Sequence, residues 1–305
     1  MRGIAATPNT DRPMLGITFM LLTYLLFSFL DASVKWLAIA GLPALQIAFM
    51  RYAGHFVISL LLILKGGLSF SRFDADNLGL VILRGLLLML STVFNFFALR
   101  YLPLTLTSTI MFSAPIIVCA LSGPMLGERV GIWRWLAIVA GFIGVMVAVR
   151  PFDETFHWAV LLSITNVTFY SLYKILTRKL SGKVAIDTLQ FYAGAVGTFV
   201  LLPFAIYSWQ MPSHPMDWAL LAVLGFFGWS GHELLTRAHG HAEASILTPF
   251  TYVFIVYMTA WSYLVFDHAP DVWTIAGAVI VIASGLFIWL RERKLGIQRL
   301  AAVRG

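Results

Sequence analysis

Ten apolar stretches follow one another along this chain, near 15–38, 44–64, 78–99, 104–126, 131–149, 156–177, 185–206, 217–237, 243–266 and 271–290. A helix rises about 1.5 Å per residue, so about 20 apolar residues suffice to cross a bilayer core of roughly 30 Å. Only short connections remain between the stretches, which leaves no room for a soluble domain among them. Charged residues make up 11% of the chain, where a soluble domain carries about 25%. The first stretch follows a polar tail, residues 1–14, without a small-residue cleavage pattern, and is read as a retained helix rather than a signal peptide. The single Cys119 excludes an intramolecular disulfide.

The basic residues give these crossings a direction. Arg2 and Arg12, Lys65 and Arg72, Arg129 and Arg134, Arg178, Lys179 and Lys183, Arg237, and the group Arg291, Arg293, Lys294, Arg299 and Arg304 lie in the two tails or in every second connection. Only Arg100 and Arg150 occupy the intervening connections. Short basic loops stay in the cytoplasm, so both termini are expected there, in a bacterial inner membrane. The formal charge of +7 is scattered over loops and tails. Anionic lipid of the inner leaflet therefore accounts for the C-terminal cluster, residues 291–305, better than nucleic acid does.

The chain also repeats itself. Tyr52-Ala53-Gly54 recurs as Tyr192-Ala193-Gly194. Ser108 stands seven residues before Pro115 as Ser245 does before Tyr252, and the same offset pairs Ser122 with Thr259. Glu128 and Trp133 after the fourth stretch correspond to Asp267 and Trp273 after the ninth. Two halves of five crossings follow, 15–150 and 156–290. Five is odd, so the halves must enter the membrane from opposite sides, an arrangement that places a substrate site near the midplane between them.

Arg100-Tyr101-Leu102-Pro103-Leu104, Ser113-Ala114-Pro115, Leu126-Gly127-Glu128-Arg129, Trp135 and Gly141 resemble the second part of an EamA repeat of the drug/metabolite transporter superfamily. Ala244-Ser245-Ile246-Leu247-Thr248-Pro249-Phe250, Val265-Phe266-Asp267 and Ala283-Ser284-Gly285 resemble its second copy. The resemblance runs from about residue 15 to 290 and implies an all-α membrane protein, ten helices in two inverted five-helix repeats around a central cavity. It implies a carrier of small metabolites, with the aromatic amino-acid exporters as one such group. The second copy departs from the family's Gly-Glu pattern, having Asp267-His268 instead.

Polar side chains inside crossings are costly and should face the bundle interior. The stripes they form nominate Tyr24, Ser91, Asn95, Ser108, Asn166, Tyr170, Trp229 and Tyr252 as lining for a substrate pathway. A lone Ser or Thr more often bonds its own helix backbone, whereas Asn166 cannot satisfy its amide that way. Pro115 and Pro249 each remove a backbone donor and break the helix, shaping the cavity or hinging its gates. Crossings five and ten are mainly apolar, with Gly141, Gly144, Gly277 and Gly285 allowing close backbone approach, and are assigned to scaffold or subunit contact.

Five ionisable residues are left unexplained by topology: Asp31, Lys35, Arg51, His232 and Glu233. Asp31 and Lys35, four apart, are placed to pair. Arg51 has three readings: pairing with Asp31, snorkelling, or binding a substrate carboxylate; the first two are favoured. Glu233 either carries a coupling proton or neutralises Lys174, with the pairing slightly preferred. Arg84 and Lys174 are expected to snorkel.

Enzymatic motifs are missing. His232-Glu233-Leu234-Leu235-Thr236 lacks the second His of a zinc-protease helix, and there is no Gly-x-Ser-x-Gly elbow or phosphate-cradling loop. The expectation is a transporter without cofactor or metal, partnered by a small-molecule substrate and membrane lipid. The first expected activity is amino-acid export by alternating access. The alternatives are uptake of a nucleoside-like or cofactor metabolite and broad drug efflux. Monomer and homodimer both stay open.

Overall fold

The computed structural model describes residues 13–65, 77–126, 131–150, 156–180, 183–242 and 247–304. Most of the N-terminal tail, the connection bearing Arg72, the Gly127-Glu128-Arg129 segment and Ser245 lie outside them, as do the side chains of Cys119 and Ser122. The described residues form helices and no strand. In chain order these are α1 (Pro13–Ile39), α2 (Ala44–Lys65), α3 (Leu78–Tyr101), α4 (Leu104–Met111), α5 (Ala114–Leu126), α6 (Ile132–Val149), α7 (Val160–Leu180), α8 (Ile186–Tyr207) and α9 (Pro215–His241). A 3-10 turn (Thr248–Tyr252) then leads into α10 (Val253–Leu264), and α11 (Val272–Arg304) closes the chain.

Seven of these, α1, α2, α3, α7, α8, α9 and α11, are long and apolar enough to cross a membrane. The other three crossings are α4 with α5, α6, and the 3-10 turn with α10. Two of them are broken, and both breaks lie at proline. Pro115 is the second residue of α5 and has no amide to offer Met111, so the helix stops there and restarts. Phe112 and Ser113 make the corner, with the Ser113 hydroxyl donating to the Ile110 carbonyl at 2.6 Å. Pro249 enters the 3-10 turn in its first residues, ahead of α10. The two breaks meet across the bundle, where the Phe112 and Tyr252 rings lie 5.2 Å apart.

The packing has a two-fold pattern. Helix α1 runs along α9, and α7 runs along α3; α2 packs on α9, and α8 on α3. Helices α2 and α8 pair with each other, as do α6 and α11. Each contact maps onto another, or onto itself, when the first five crossings are exchanged with the second five. An odd number of crossings per half inverts one half relative to the other. The face at which α1 begins is called here the N-side, and its opposite the far side.

Glycines set the closest approaches. A Cβ at Gly54 would stand 2.9 Å from the Gly225 Cα, so α2 and α9 touch backbone to backbone. A Cβ at Gly144 would stand 3.0 Å from the Gly277 carbonyl, so α6 and α11 also pack closely at their glycines. The C-terminal basic stretch is the continuation of α11, which runs unbroken to Arg304.

Candidate functional site

Helix α3 carries a ladder of polar groups from the N-side to the far side. Arg84, Ser91 and Asn95 are spaced seven and four residues apart, one stripe of an α-helix. This stripe faces α7 and α1. Ser91 Oγ donates to Asn166 Oδ1 at 2.7 Å, Asn166 Nδ2 donates to Asn95 Oδ1 at 3.2 Å, and Asn95 Nδ2 donates to Asp31 Oδ1 at 3.1 Å. Ser91 and Asn166 are buried, while Asn95 and Asp31 keep part of their surface accessible. The Met111 sulfur lies 4.0 Å from Asn166 Nδ2, at the end of α4 beside the break. The chain thus ties α1 and α3 of one half to α7 of the other.

An interhelical hydrogen bond in a membrane contributes about 0.6–2 kcal/mol. A carboxylate at membrane depth costs roughly 2.5–3.5 kcal/mol. Asp31 accepts one side-chain hydrogen bond, from Asn95. One such bond offsets part of that cost, and the positive charge of Arg51 offsets more.

Asp31 and Lys35 do not form the predicted pair. Lys35 Nζ turns instead to the last turn of α3 and donates to the Leu99 and Leu102 carbonyls at 3.1 and 2.9 Å. Those carbonyls have no intrahelical donors, and a cation at a helix C-terminus also meets the negative end of the helix dipole. The end of α3 thus takes Lys35 in place of the carboxylate four residues back on its own helix.

Arg51 does not reach Asp31 as an ion pair and does not snorkel. It is 5% exposed. Nη1 donates to Thr92 Oγ1 at 3.3 Å, the guanidinium carbon lies 4.6 Å from the Tyr52 ring centroid, and Nε makes no hydrogen bond. Tyr52 OH shares Thr92 Oγ1 at 2.9 Å. One turn along α2, His55 is fully buried with neither ring nitrogen bonded, and its ring centroid is 6.3 Å from that of His232 on α9. His232 in turn packs edge-on to Phe27 at 5.1 Å. Arg84 also departs from the expected snorkelling. It is 5% exposed and donates Nε to Thr177 Oγ1, Nη2 to Tyr173 OH and Nη1 to the Leu189 carbonyl, stapling α3 to α7 and α8.

Glu233 does not pair with Lys174. Its Oε1 accepts from Arg237 Nε at 2.9 Å, four residues along α9, with the arginine side chain 60% exposed. Lys174 is exposed and lies over the Tyr170 ring at 5.0 Å. A carboxylate in an accessible surface pair is poorly placed to carry a proton through the bundle. Glu233→Gln is therefore expected to leave the pH dependence of transport unaltered, measured as counterflow rates in proteoliposomes across pH 5.5–8.5; a flattened profile would restore the coupling role.

The remaining nominated residues fall into two groups. Tyr24 packs against Phe254 and Phe27 at 5.7 and 6.2 Å, and Tyr170 stacks on Tyr173 at 5.9 Å, giving an aromatic wall near the polar ladder. Tyr252 abuts Phe112, and Gly285 leaves room for its hydroxyl. Ser108, by contrast, is spent on its own helix, donating to the Thr105 carbonyl at 2.9 Å. Trp229 is half-buried on α9. The polar stripes of the sequence do not single out Thr92, Tyr52, His55 and Met111. Arg84 was recognised but its direction was not, although its seven-residue spacing from Ser91 was available.

On the far side a cavity of about 320 Å³ is lined by residues of both halves, including Tyr101, Leu102, Arg150, His157, His268 and Asp271. Arg150 and Asp271 close an ion pair across it, and Asp271 Oδ1 also accepts the Thr274 amide at the start of α11. Leu102 belongs both to the cavity wall and, through its carbonyl, to the Lys35 contact. Among the described residues no group of three or more His, Cys, Asp and Glu is placed to hold a metal.

The EamA-like transporter family model matches residues 14–150 and again 157–290. The chain belongs to the EamA-like transporter family. This EamA-like protein is 29% identical to the pseudopaline exporter of Pseudomonas aeruginosa, over 88% of the chain and 94% of that protein. It is 30% identical to the S-adenosylmethionine uptake transporter of Rickettsia prowazekii, over 92% of the chain and 94% of that protein. The riboflavin transporter of Vibrio cholerae is 28% identical, over 92% and 95%. A solved crystal structure shares the fold with a TM-score of 0.64 at 14% identity, covering 94% of this chain and 99% of that one. The family and these relatives are transporters, not enzymes. The protein is accordingly a multi-pass membrane protein and a secondary transporter of this type.

Proposed function

We propose that this transporter exports amino acids, or small metabolites built like them, across a bacterial inner membrane by alternating access. Both termini are cytoplasmic in this reading. The two five-helix repeats, 15–150 and 156–290, are the bodies that move against each other, with tails at 1–14 and 291–305. The observation that carries the proposal is the Ser91–Asn166–Asn95–Asp31 chain, which crosses from one repeat to the other. A half-buried carboxylate with amide groups beside it suits an ammonium group, and the neighbouring Tyr24, Phe27 and Phe254 suit an apolar or aromatic remainder. A breakable hydrogen-bonded contact between repeats is what a change of access requires.

A second reading, uptake of a nucleoside-like or cofactor metabolite, is favoured by the relatives named for S-adenosylmethionine and riboflavin. The same aromatic wall accepts a planar ring. Counterflow in proteoliposomes of known orientation, with amino acids, nucleosides and riboflavin, separates the two. The expected result is accelerated exchange of at least one amino acid. Exchange of riboflavin or nucleosides alone supports the second reading, and movement of no solute overturns both.

A further inference from the structure

The buried cations of the bundle differ in how well their donors are satisfied. Arg51 and Arg84 are both buried and Lys35 is half-buried; Asp31 is a half-buried carboxylate, and Asp217, buried at the start of α9, accepts from Trp36 Nε1. The ion pairs among the described residues, Arg150–Asp271 and Arg237–Glu233, involve none of these three cations. An unpaired buried cation costs several kcal/mol, so each needs a reason. Arg84 has one, since Nε and both terminal nitrogens each donate to a protein oxygen. Lys35 has one in the two carbonyls it caps. Arg51 alone of the three has a bare nitrogen, Nε, and one donated bond from Nη1.

We infer that Arg51 anchors a carboxylate of the transported metabolite. The position supports this independently of charge. Thr92, which receives Nη1, adjoins Ser91 on α3, so the guanidinium lies one helix face away from the Asn95–Asp31 contact. Gly228 of α9 faces it, a position where a Cβ would come within 3.3 Å of Nε. The unbonded imidazole of His55 lies one turn along the same helix. A guanidinium with a donor not taken by a protein acceptor can form charge-assisted hydrogen bonds to a carboxylate once a change of access uncovers it. The inference rests on the proposed amino-acid-like substrate and narrows it: the carboxylate goes to Arg51, and the ammonium to Asp31.

The test uses the full-length carrier in lipid nanodiscs and reads its Tm with each proteinogenic amino acid beside that amino acid's carboxamide. At least one acid is expected to raise Tm by about 2–5 °C, while its amide does not. In Arg51→Met that shift disappears, and the ligand-free Tm stays level or rises, because a buried charge outside any ion pair has been removed. Arg51→Lys recovers part of the shift. Equal shifts by acid and amide, no shift by any acid, or a shift that survives in Arg51→Met overturns the inference. A lower ligand-free Tm in Arg51→Met with the acid's shift retained assigns the residue to structure. The two readings fail separately. An acid that raises Tm but is not exchanged in counterflow removes the export proposal alone, and an amide exchanged as fast as its acid removes the anchor alone.

Discussion

Asp31→Asn lowers counterflow by about 100-fold or more at unchanged expression, the largest functional loss expected for a single substitution in this protein. The asparagine keeps an acceptor oxygen for Asn95 Nδ2 and nearly the same volume, so the Ser91–Asn166–Asn95 chain can persist. What it removes is the negative charge. Losing a charged partner for a substrate cation forfeits roughly 2–4 kcal/mol, which is 30- to 1000-fold in binding. Because that carboxylate is costly to hold at membrane depth, the substrate-free protein should become slightly more stable. A variant with intact Tm and near-normal exchange would remove Asp31 from the site; a variant with strongly lowered Tm would make it a structural residue.

Gly225→Val gives the largest loss of stability. Its Cβ would press on the Gly54 Cα and carbonyl carbon and lie 2.8 Å from the His55 amide nitrogen, all of them backbone atoms. No flexible side chain can yield, so α2 and α9 must separate. Overpacking typically costs about 1–3 kcal/mol, and at roughly 2–4 °C per kcal/mol the Tm falls by about 2–12 °C. The separation also disturbs Arg51, His55 and His232, which lie along the same contact, so exchange should fall as well. Gly79→Ala is the control: nothing lies within 4 Å of its Cβ, and helix propensity favours Ala. Equal Tm values for Gly225→Val and Gly79→Ala would show that the two helices slide freely past this contact.

The Tyr-Ala-Gly recurrence illustrates how sequence pattern and packing relate. The repetition of Tyr52-Ala53-Gly54 at Tyr192-Ala193-Gly194 indicates duplication. The partners could not be read from it. Gly54 meets Gly225 on α9, whereas Gly194 meets the Phe56 backbone on α2. Periodicity places a residue on a face of its helix and leaves open which helix that face meets.

The site shows the same division. Ser91 and Asn95 were recognisable because an i, i+4 polar pair must leave the lipid, and Asn166 because an amide needs more partners than its own helix supplies. That the three join Asp31 depends on the positions of α1, α3 and α7 relative to one another. Charged residues were read least well. Lys35, Glu233 and Arg84 each had a plausible local partner or an exit to solvent, and each took a different one. A long side chain reaches several ångströms from its Cα, so its partner is set by whichever donor or acceptor the neighbouring helix presents. Pro115 was clearer, since a missing amide breaks a helix wherever that helix lies.

Ten crossings, the duplication, the inverted halves and the two helix breaks follow from the sequence by itself. They depend on segment length, apolarity, charge alternation and the chemistry of proline, all properties of one segment and its solvent. The choice of Leu99 and Leu102 for Lys35, of Arg237 for Glu233, and of a nearly bare setting for Arg51 was decided only by the tertiary structure. Those choices are competitions among groups brought together from distant parts of the chain, and small differences in distance decide them.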